Sequence, residues 1–391
     1  MVKEENNEIL VITPGYPSKD NPYNNSFVHQ RVLGYLEEGI HVEVFSVPGS
    51  PYKKNMDKPS VKQYEIDGVP VSEGTHGNLE DHLKKKRYSK ILVHFAWKGI
   101  MEVVLEHTGD TPLIIWVHGV EALSWKRRLF NLTSSPKEII KFIGYIPLNK
   151  IQLRFVGRLI EKQNDRDMTF VFVSHWMKEI LEEDTGVRST IKKYRVIPNV
   201  INDKLFNYEE KDENLRYHIF NVRPYHSKKY ANDLMVDTII KLKTYKDFEK
   251  LRFNLYGDGR LFDDTVKPIL GLTNVNIHKG MLPQKEIAAR HKENGILLMP
   301  TRQDAQGVSM CEAMSSGLVP VVSDNTAIPE YVCGDCGYLC EGPDEMAKAI
   351  IELVENPDIF KEKSKTASKY IIEKCSGPVV LKEEVSLILK K

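Results

Sequence analysis

The hydrophobic residues of this chain fall into short runs that are apolar at nearly every position, separated by longer stretches with helical spacing. In the first half the runs cover 9–12, 42–45, 91–95, 113–117 and 170–173. A second series follows Asn199, at 218–222, 253–256, 275–277, 296–299 and 320–322. Runs without polar alternation suit strands covered on both faces, as in parallel sheets flanked by helices. The pattern predicts an α/β chain of two doubly wound, Rossmann-like units in tandem. The charge-rich, aperiodic stretch 202–213 reads as the linker between them. The expected organisation is a domain over 1–204, a second over 205–375, and a C-terminal helix over 376–391 that crosses back to the first. Ser376-Gly377-Pro378 breaks the tail into two helices.

Composition narrows the class without naming a partner. At 391 residues, 41% hydrophobic and 28% charged with a net charge of +1, the chain suits two folded domains and not a disordered or nucleic-acid-coating protein. The first eight residues are acidic and offer no basic leader, and no run approaches the roughly 20 apolar residues a membrane span needs. Five cysteines argue against a disulfide framework and for a reducing compartment. A cytoplasmic protein is expected, in which the sequons at Asn24 and Asn131 carry no meaning.

In open parallel sheets ligands bind beyond the carboxyl ends of the strands. After the run 296–299 come Asp304, Gly307, Val308, Ser309 and Glu312, leading into an Ala/Met-rich helix. A strand, a glycine loop and a helix start offer unpaired N–H groups to an anion, and two carboxylates beside them can accept from hydroxyls. A sugar nucleotide combines both. The plainer alternative is an ordinary loop before a helix capped by Ser309. Arg223 and Lys228, after the run 218–222, pair a bidentate fork with a point charge, which suits a diphosphate; a solvated charged loop is the alternative. His118, at the end of the run 113–117 beside Gly119, can reach a substrate hydroxyl or serve as a structural histidine. Gly257-Asp258-Gly259 reads as a tight turn. Gly15 lies in a loop, with Asn24-Asn25-Ser26, that leads into a helix near Val28 and could close over a ligand.

Together these residues resemble the retaining GT-B glycosyltransferases, specifically glycosyltransferase family 4. The resemblance rests on Asp304 and Glu312 separated by seven residues, then Ala313-Met314, Gly317, Pro320-Val321-Val322 and Pro329-Glu330. Arg223 with Lys228, the 257–259 turn and Ile197-Pro198-Asn199 stand in the expected order. It is tight over 199–330 and loose before. It implies two domains facing each other across a cleft, with a nucleotide-sugar donor in the second. Glu312 would hold the ribose hydroxyls, Asp304 and the 307–309 backbone would face sugar and phosphates, and Arg223 and Lys228 would bind the diphosphate. His118 would face the transferred sugar, and Gly280-Met281 the nucleobase. Transfer would proceed with retention, to a glycan, lipid-linked or small-molecule acceptor, with no cofactor and no metal. Two positions depart from the pattern: Asp304 replaces the usual glutamate, and Asn24-Asn25-Ser26 replaces adjacent glycines.

Three further features carry less. The Asp165-x-Asp167 pattern precedes a strand, the wrong end for a ligand, and reads as a surface turn. Cys333, Cys336 and Cys340 lack a fourth nearby zinc ligand. Residues 122–163 carry nine Lys/Arg against two Asp/Glu among apolar residues, which suits either a core helix with a basic solvated side or a segment lying on the anionic inner face of a membrane. Rival readings are another GT-B activity, such as an epimerase or phosphorylase, or a catalytically silent homologue acting as a binding subunit. A Rossmann dehydrogenase is disfavoured, because no G-x-G-x-x-G follows the first run.

Overall fold

The computed structural model describes residues 8–22, 24–133, 135–187 and 191–390. The acidic N-terminal segment therefore lies, apart from Glu8, outside the described residues. The chain divides into two compact units, one of 1–129, 134–200 and 380–391, the other of 130–133 and 201–379.

The first unit runs β1 (Ile9–Thr13), α1 (Ser26–Glu37), β2 (Val42–Ser46), β3 (Lys62–Ile66), β4 (Val69–Glu73), α2 (His76–Lys85), β5 (Lys90–His94), α3 (Lys98–His107), β6 (Leu113–Val117), α4 (Pro136–Glu161), β7 (Met168–Phe172), α5 (His175–Thr185) and β8 (Tyr194–Val196). Its sheet has the order β3-β4-β2-β1-β5-β6-β7-β8. The pairs are parallel except β3 with β4. That hairpin turns at Asp67-Gly68, where φ is 49° and 78°, the geometry a two-residue turn between twisted strands requires.

The second unit runs β9 (His218–Val222), α6 (Asn232–Leu242), β10 (Arg252–Gly257), α7 (Phe262–Val266), β11 (Val275–Lys279), α8 (Gln284–Lys292), β12 (Ile296–Met299), α9 (Val308–Ser315), β13 (Val319–Ser323), β14 (Tyr338–Cys340), α10 (Pro343–Glu355) and α11 (Pro357–Cys375). All its strands pair in parallel, in the order β11-β10-β9-β12-β13-β14. Strand order reverses between β9 and β12, so the loops leaving these two strands border the crevice where such sheets bind ligands.

The stretch 202–213, read as the linker, packs onto the second unit. Phe206 is fully buried, its carbonyl accepting from Ser315 Oγ at 2.7 Å, and the Lys211 ammonium donates to the His291 carbonyl from a buried position. Phe206 thus anchors the segment to α9, and Lys211 anchors it to α8.

The tail helix α12 (Gly377–Leu389) begins after the break at Ser376. From residue 380 it belongs to the first unit, where Val380 and Ile388 join the core around Val28, Val32 and Tyr35 of α1. A buried ion pair fastens it: Arg31 Nε lies 2.7 Å from Glu384 Oε1, and Tyr35 Oη donates to Glu384 Oε2 at 2.5 Å. The Arg31 fork also donates to Asn199 Oδ1 and the Pro198 carbonyl, so both partners are compensated.

Candidate functional site

The loops leaving β9, β10 and β12 converge in the second unit. Arg223 follows β9 and is 4% exposed. Its guanidinium sits 4.9 Å from the centre of the Tyr230 ring, and its Nη2 is 3.7 Å from Asp304 Oδ2, beyond hydrogen-bond length. Among the described residues, its Nε and Nη2 have no hydrogen-bond partner. A buried guanidinium with unmatched donors favours an anionic ligand, because desolvating those donors without acceptors is costly.

Glycine at the end of β10 makes this placement possible. Gly257 and Gly259 have φ of 155° and 146°, and a Cβ at Gly257 would overlap the Arg223 carbonyl oxygen, one at Gly259 the Tyr225 backbone. Arg223 N–H donates to the Tyr256 carbonyl and Tyr225 N–H to that of Asp258, so the turn clamps the loop after β9. Gly280 N–H donates to the Gly257 carbonyl, which brings the end of β11 alongside, with Met281 half exposed.

The loop after β12 is held by Asp304. Its Oδ1 accepts from Gly307 N–H at 2.8 Å and Gln306 N–H at 3.3 Å, while its own N–H donates to Thr326 Oγ1. Gly307 takes a left-handed conformation, φ 79°, ψ 57°, and α9 starts directly after it with no side-chain cap. Ser309 is therefore not the cap; its hydroxyl meets Met299 Sδ at 3.6 Å. The first-turn N–H groups at Val308 and Ser309 precede the helix's own hydrogen-bond ladder. Ile328 packs beside Gly307, which places Pro329-Glu330 behind the loop.

Glu312 lies one turn into α9, 9% exposed, with Oε1 accepting from Gln284 Nε2 at 3.4 Å. Burial pushes its carboxyl up to about 8. Lys228 opens the turn after β9, and its carbonyl accepts from Arg302 Nη1 at 2.8 Å; Arg302 also holds Asp233 through both Nη atoms. The structure thus brings Arg223, Asp304, Gly307 and Gly257 into one cluster. It ties Lys228 to the β12 loop through the backbone.

Gly15 and His118 belong to the first unit. The Gly15 carbonyl accepts from Thr13 Oγ1 and Asn25 Nδ2, both at 3.0 Å, and a Cβ at Gly15 would collide with the Asn24 amide. The asparagines that replace adjacent glycines thus organise this loop, and α1 begins at Ser26, two residues before the expected Val28. His118 Nε2 is 3.1 Å from Nδ1 of His94, and the two rings are stacked. Its N–H donates to Glu121 Oε1 at 2.7 Å. Burial, with Arg31 nearby, holds the His118 ring well below the usual histidine range, and His94 likewise, so this pair is neutral. Glu121 is pushed up to about 7 by the same burial.

His94, Tyr230, Gln284 and Thr326 escaped sequence reasoning. His94 is the last residue of β5, within the run 91–95, and was legible by position; the others sit at no motif. Asp167 lies at the amino end of β7, paired with Lys193 at 3.2 Å, as a surface turn requires. All five cysteines are free thiols. Among the described residues no cluster of three His, Cys, Asp or Glu side chains could hold a metal ion.

Residues 217–356 match the family model described as glycosyl transferases group 1. The chain is 30% identical over 162 residues to the poly(ribitol-phosphate) alpha-N-acetylglucosaminyltransferase of Staphylococcus aureus, covering 40% of this chain and 32% of that protein. It is 26% identical over 239 residues to an uncharacterized 41.2 kDa protein in the cps region of Klebsiella pneumoniae, covering 56% and 60%. The chain thus spans less than two thirds of the length of the curated relatives it matches. The solved structure of sucrose-phosphate synthase from Thermosynechococcus elongatus superposes with a TM-score of 0.71 at 14% identity, covering 97% of this chain and 98% of that one. The fold is GT-B, with two Rossmann-like domains, and the second domain carries the group 1 glycosyltransferase match.

Proposed function

We propose that the protein is a retaining glycosyltransferase that moves a sugar from a nucleoside diphosphate donor, UDP- or GDP-linked, to a glycan, lipid-linked or small-molecule acceptor in polysaccharide or glycoconjugate biosynthesis. The buried Arg223 guanidinium carries the reading, because its unmatched donors stand beside the start of α9 at the switch point of the sheet. The group 1 match and the transferase names of the relatives support it.

In this reading Arg223, Lys228 and the Val308 and Ser309 N–H groups receive the diphosphate, and Glu312 accepts from the ribose hydroxyls. Gly257 and Gly259 let the loops approach it, and Met281 lies toward the base. His118, neutral and at the end of β6, and Gly15 are assigned to the sugar and its acceptor. The bond from the anomeric carbon to phosphate breaks while the acceptor oxygen adds to the same face. A leaving phosphate oxygen takes the acceptor proton, giving glycoside and nucleoside diphosphate. No metal or cofactor is assigned, since the cationic groups meet the departing charge. A cytoplasmic location is proposed from the five free thiols, which suit a reducing compartment. No described helix is long and apolar enough to cross a membrane.

The test is nucleoside diphosphate release from UDP- and GDP-sugars with a panel of acceptors, in the presence of EDTA, with product NMR. Expected are release insensitive to EDTA, a retained anomer, and a loss of about 10²–10³ in turnover for Lys228→Ala. An inverted anomer refutes retention, and unchanged turnover in Lys228→Ala removes that residue from the site.

A further inference from the structure

The core contacts of α4 leave one long face unexplained. Phe142, Leu153, Phe155, Val156, Leu159 and Ile160 are among its buried residues. On the other side, Ile140, Ile143, Pro147, Ile151, Arg154 and Arg158 follow at spacings of three and four, and all are exposed. Ile140 is 71% exposed, Ile143 58% and Ile151 48%, with Leu148 beside them at 40%. Large β-branched residues repeated along a solvent face are not needed for folding, and such a stripe is the mark of a contact surface.

The charges around the stripe identify the partner. Lys137 and Lys141 flank its start, and Lys150, Arg154 and Arg158 its end, all exposed. Glu138 is the acidic residue near its start and is paired with Lys141 at 3.4 Å; Glu161 lies beyond Arg158. Leu148 and Ile151 also form one wall of a recess of about 240 Å³, whose other lining includes Tyr52, Lys54 and Lys98. The Lys98 ammonium is 2.7 Å from Glu102, whereas Lys54 brings a second cation to the recess. The apolar strip from Ile140 to Ile151, about 17 Å long at the helical rise and set between cationic ends, matches a surface whose interior is aliphatic and whose rim is anionic.

We propose that this face of α4 docks the first unit on an anionic lipid bilayer, lying in the interface with Ile140, Ile143, Leu148 and Ile151 among the acyl chains and a lipid phosphate in the recess beside Lys54. The proposal goes beyond glycosyl transfer and stands without it. Its test is sedimentation of the full chain with phosphatidylcholine vesicles, and with phosphatidylcholine–phosphatidylglycerol vesicles at about a 2:1 ratio. Binding is expected to the mixed vesicles and not to the neutral ones. The partition constant should fall at least about tenfold in Ile140→Ser/Ile143→Ser, and further than that in Lys150→Glu/Arg154→Glu, at roughly fivefold or more per reversed charge. Circular dichroism and melting temperature should be unchanged in both variants, since the four side chains face solvent. No binding to either vesicle, equal binding to both, or wild-type binding by both variants overturns the proposal. So does a wild-type dimer in analytical ultracentrifugation that Ile140→Ser/Ile143→Ser converts to monomer, because the stripe would then serve a second copy of the chain.

Discussion

Asp304 divides its carboxylate between two tasks: Oδ1 accepts from the Gln306 and Gly307 N–H groups, and Oδ2 lies 3.7 Å from Arg223 Nη2. A carboxylate that closes on N–H groups two and three residues ahead needs the short side chain of aspartate. The departure from glutamate is thereby given a local reason. Asp304→Asn keeps an acceptor for the loop and removes the charge beside Arg223. Its melting temperature should stay within a few degrees of wild type, with nucleoside diphosphate bound a few-fold more tightly. Asp304→Ala leaves both N–H groups without that acceptor and should cost about 1–3 kcal/mol in denaturant unfolding.

Gly257 is the position where the site is least tolerant of a single methyl group. Gly257→Ala sets a Cβ against the Arg223 carbonyl oxygen at a φ of 155°. The expected cost is about 1–3 kcal/mol of stability, together with weakened diphosphate binding, because the loop carrying Arg223 must move. Gly271→Ala, where a Cβ meets open space, is the control and should bind as wild type.

Glu312 makes stability depend on pH. Its carboxyl titrates near 4.5 when unfolded and about 8 when folded, so the folded state favours the protonated form. That contribution is fully present below about pH 4.5 and is lost as pH rises through about 8. Glu312→Gln imitates the protonated group at every pH. The variant should match wild type near pH 5 and exceed it near pH 8 by more than about 1.4 kcal/mol, the free energy of a tenfold difference in proton affinity between the folded and unfolded chains. Urea unfolding of both proteins across that range measures the difference.

The buried Arg31–Glu384 pair carries the attachment of the tail helix. Glu384→Ala leaves the Arg31 guanidinium buried without its carboxylate and should cost about 3–5 kcal/mol. Hydrogen exchange should rise across α12 and α1 together.

The parallel strands were legible because burial on both faces writes itself as uninterrupted Ile, Leu and Val. β3, β4, β8 and β14 were not, since each is short or half exposed. Gly257, Gly307 and Arg223 could be found because loops at strand ends concentrate glycine and charge. The partners that define the site electrostatically could not: Tyr230 meets the guanidinium through the curl of Arg223's own loop, and Thr326 reaches Asp304 from the loop after β13. Burial also hid in plain composition. Arg31, Glu384 and Lys211 look like surface charges in sequence, and only packing reveals that each is enclosed.

The functional assignment turns on a nucleotide-sugar bound in the second unit through Arg223. Thermal unfolding of wild type and Arg223→Ala with UDP-, GDP-, ADP- and TDP-sugars tests it, since a ligand at a hundredfold excess over its Kd stabilises the folded state by about 2.7 kcal/mol. At least one of these donors should raise the melting temperature of wild type and leave Arg223→Ala unmoved. No shift with any donor, or an equal shift in both proteins, would contradict the assignment.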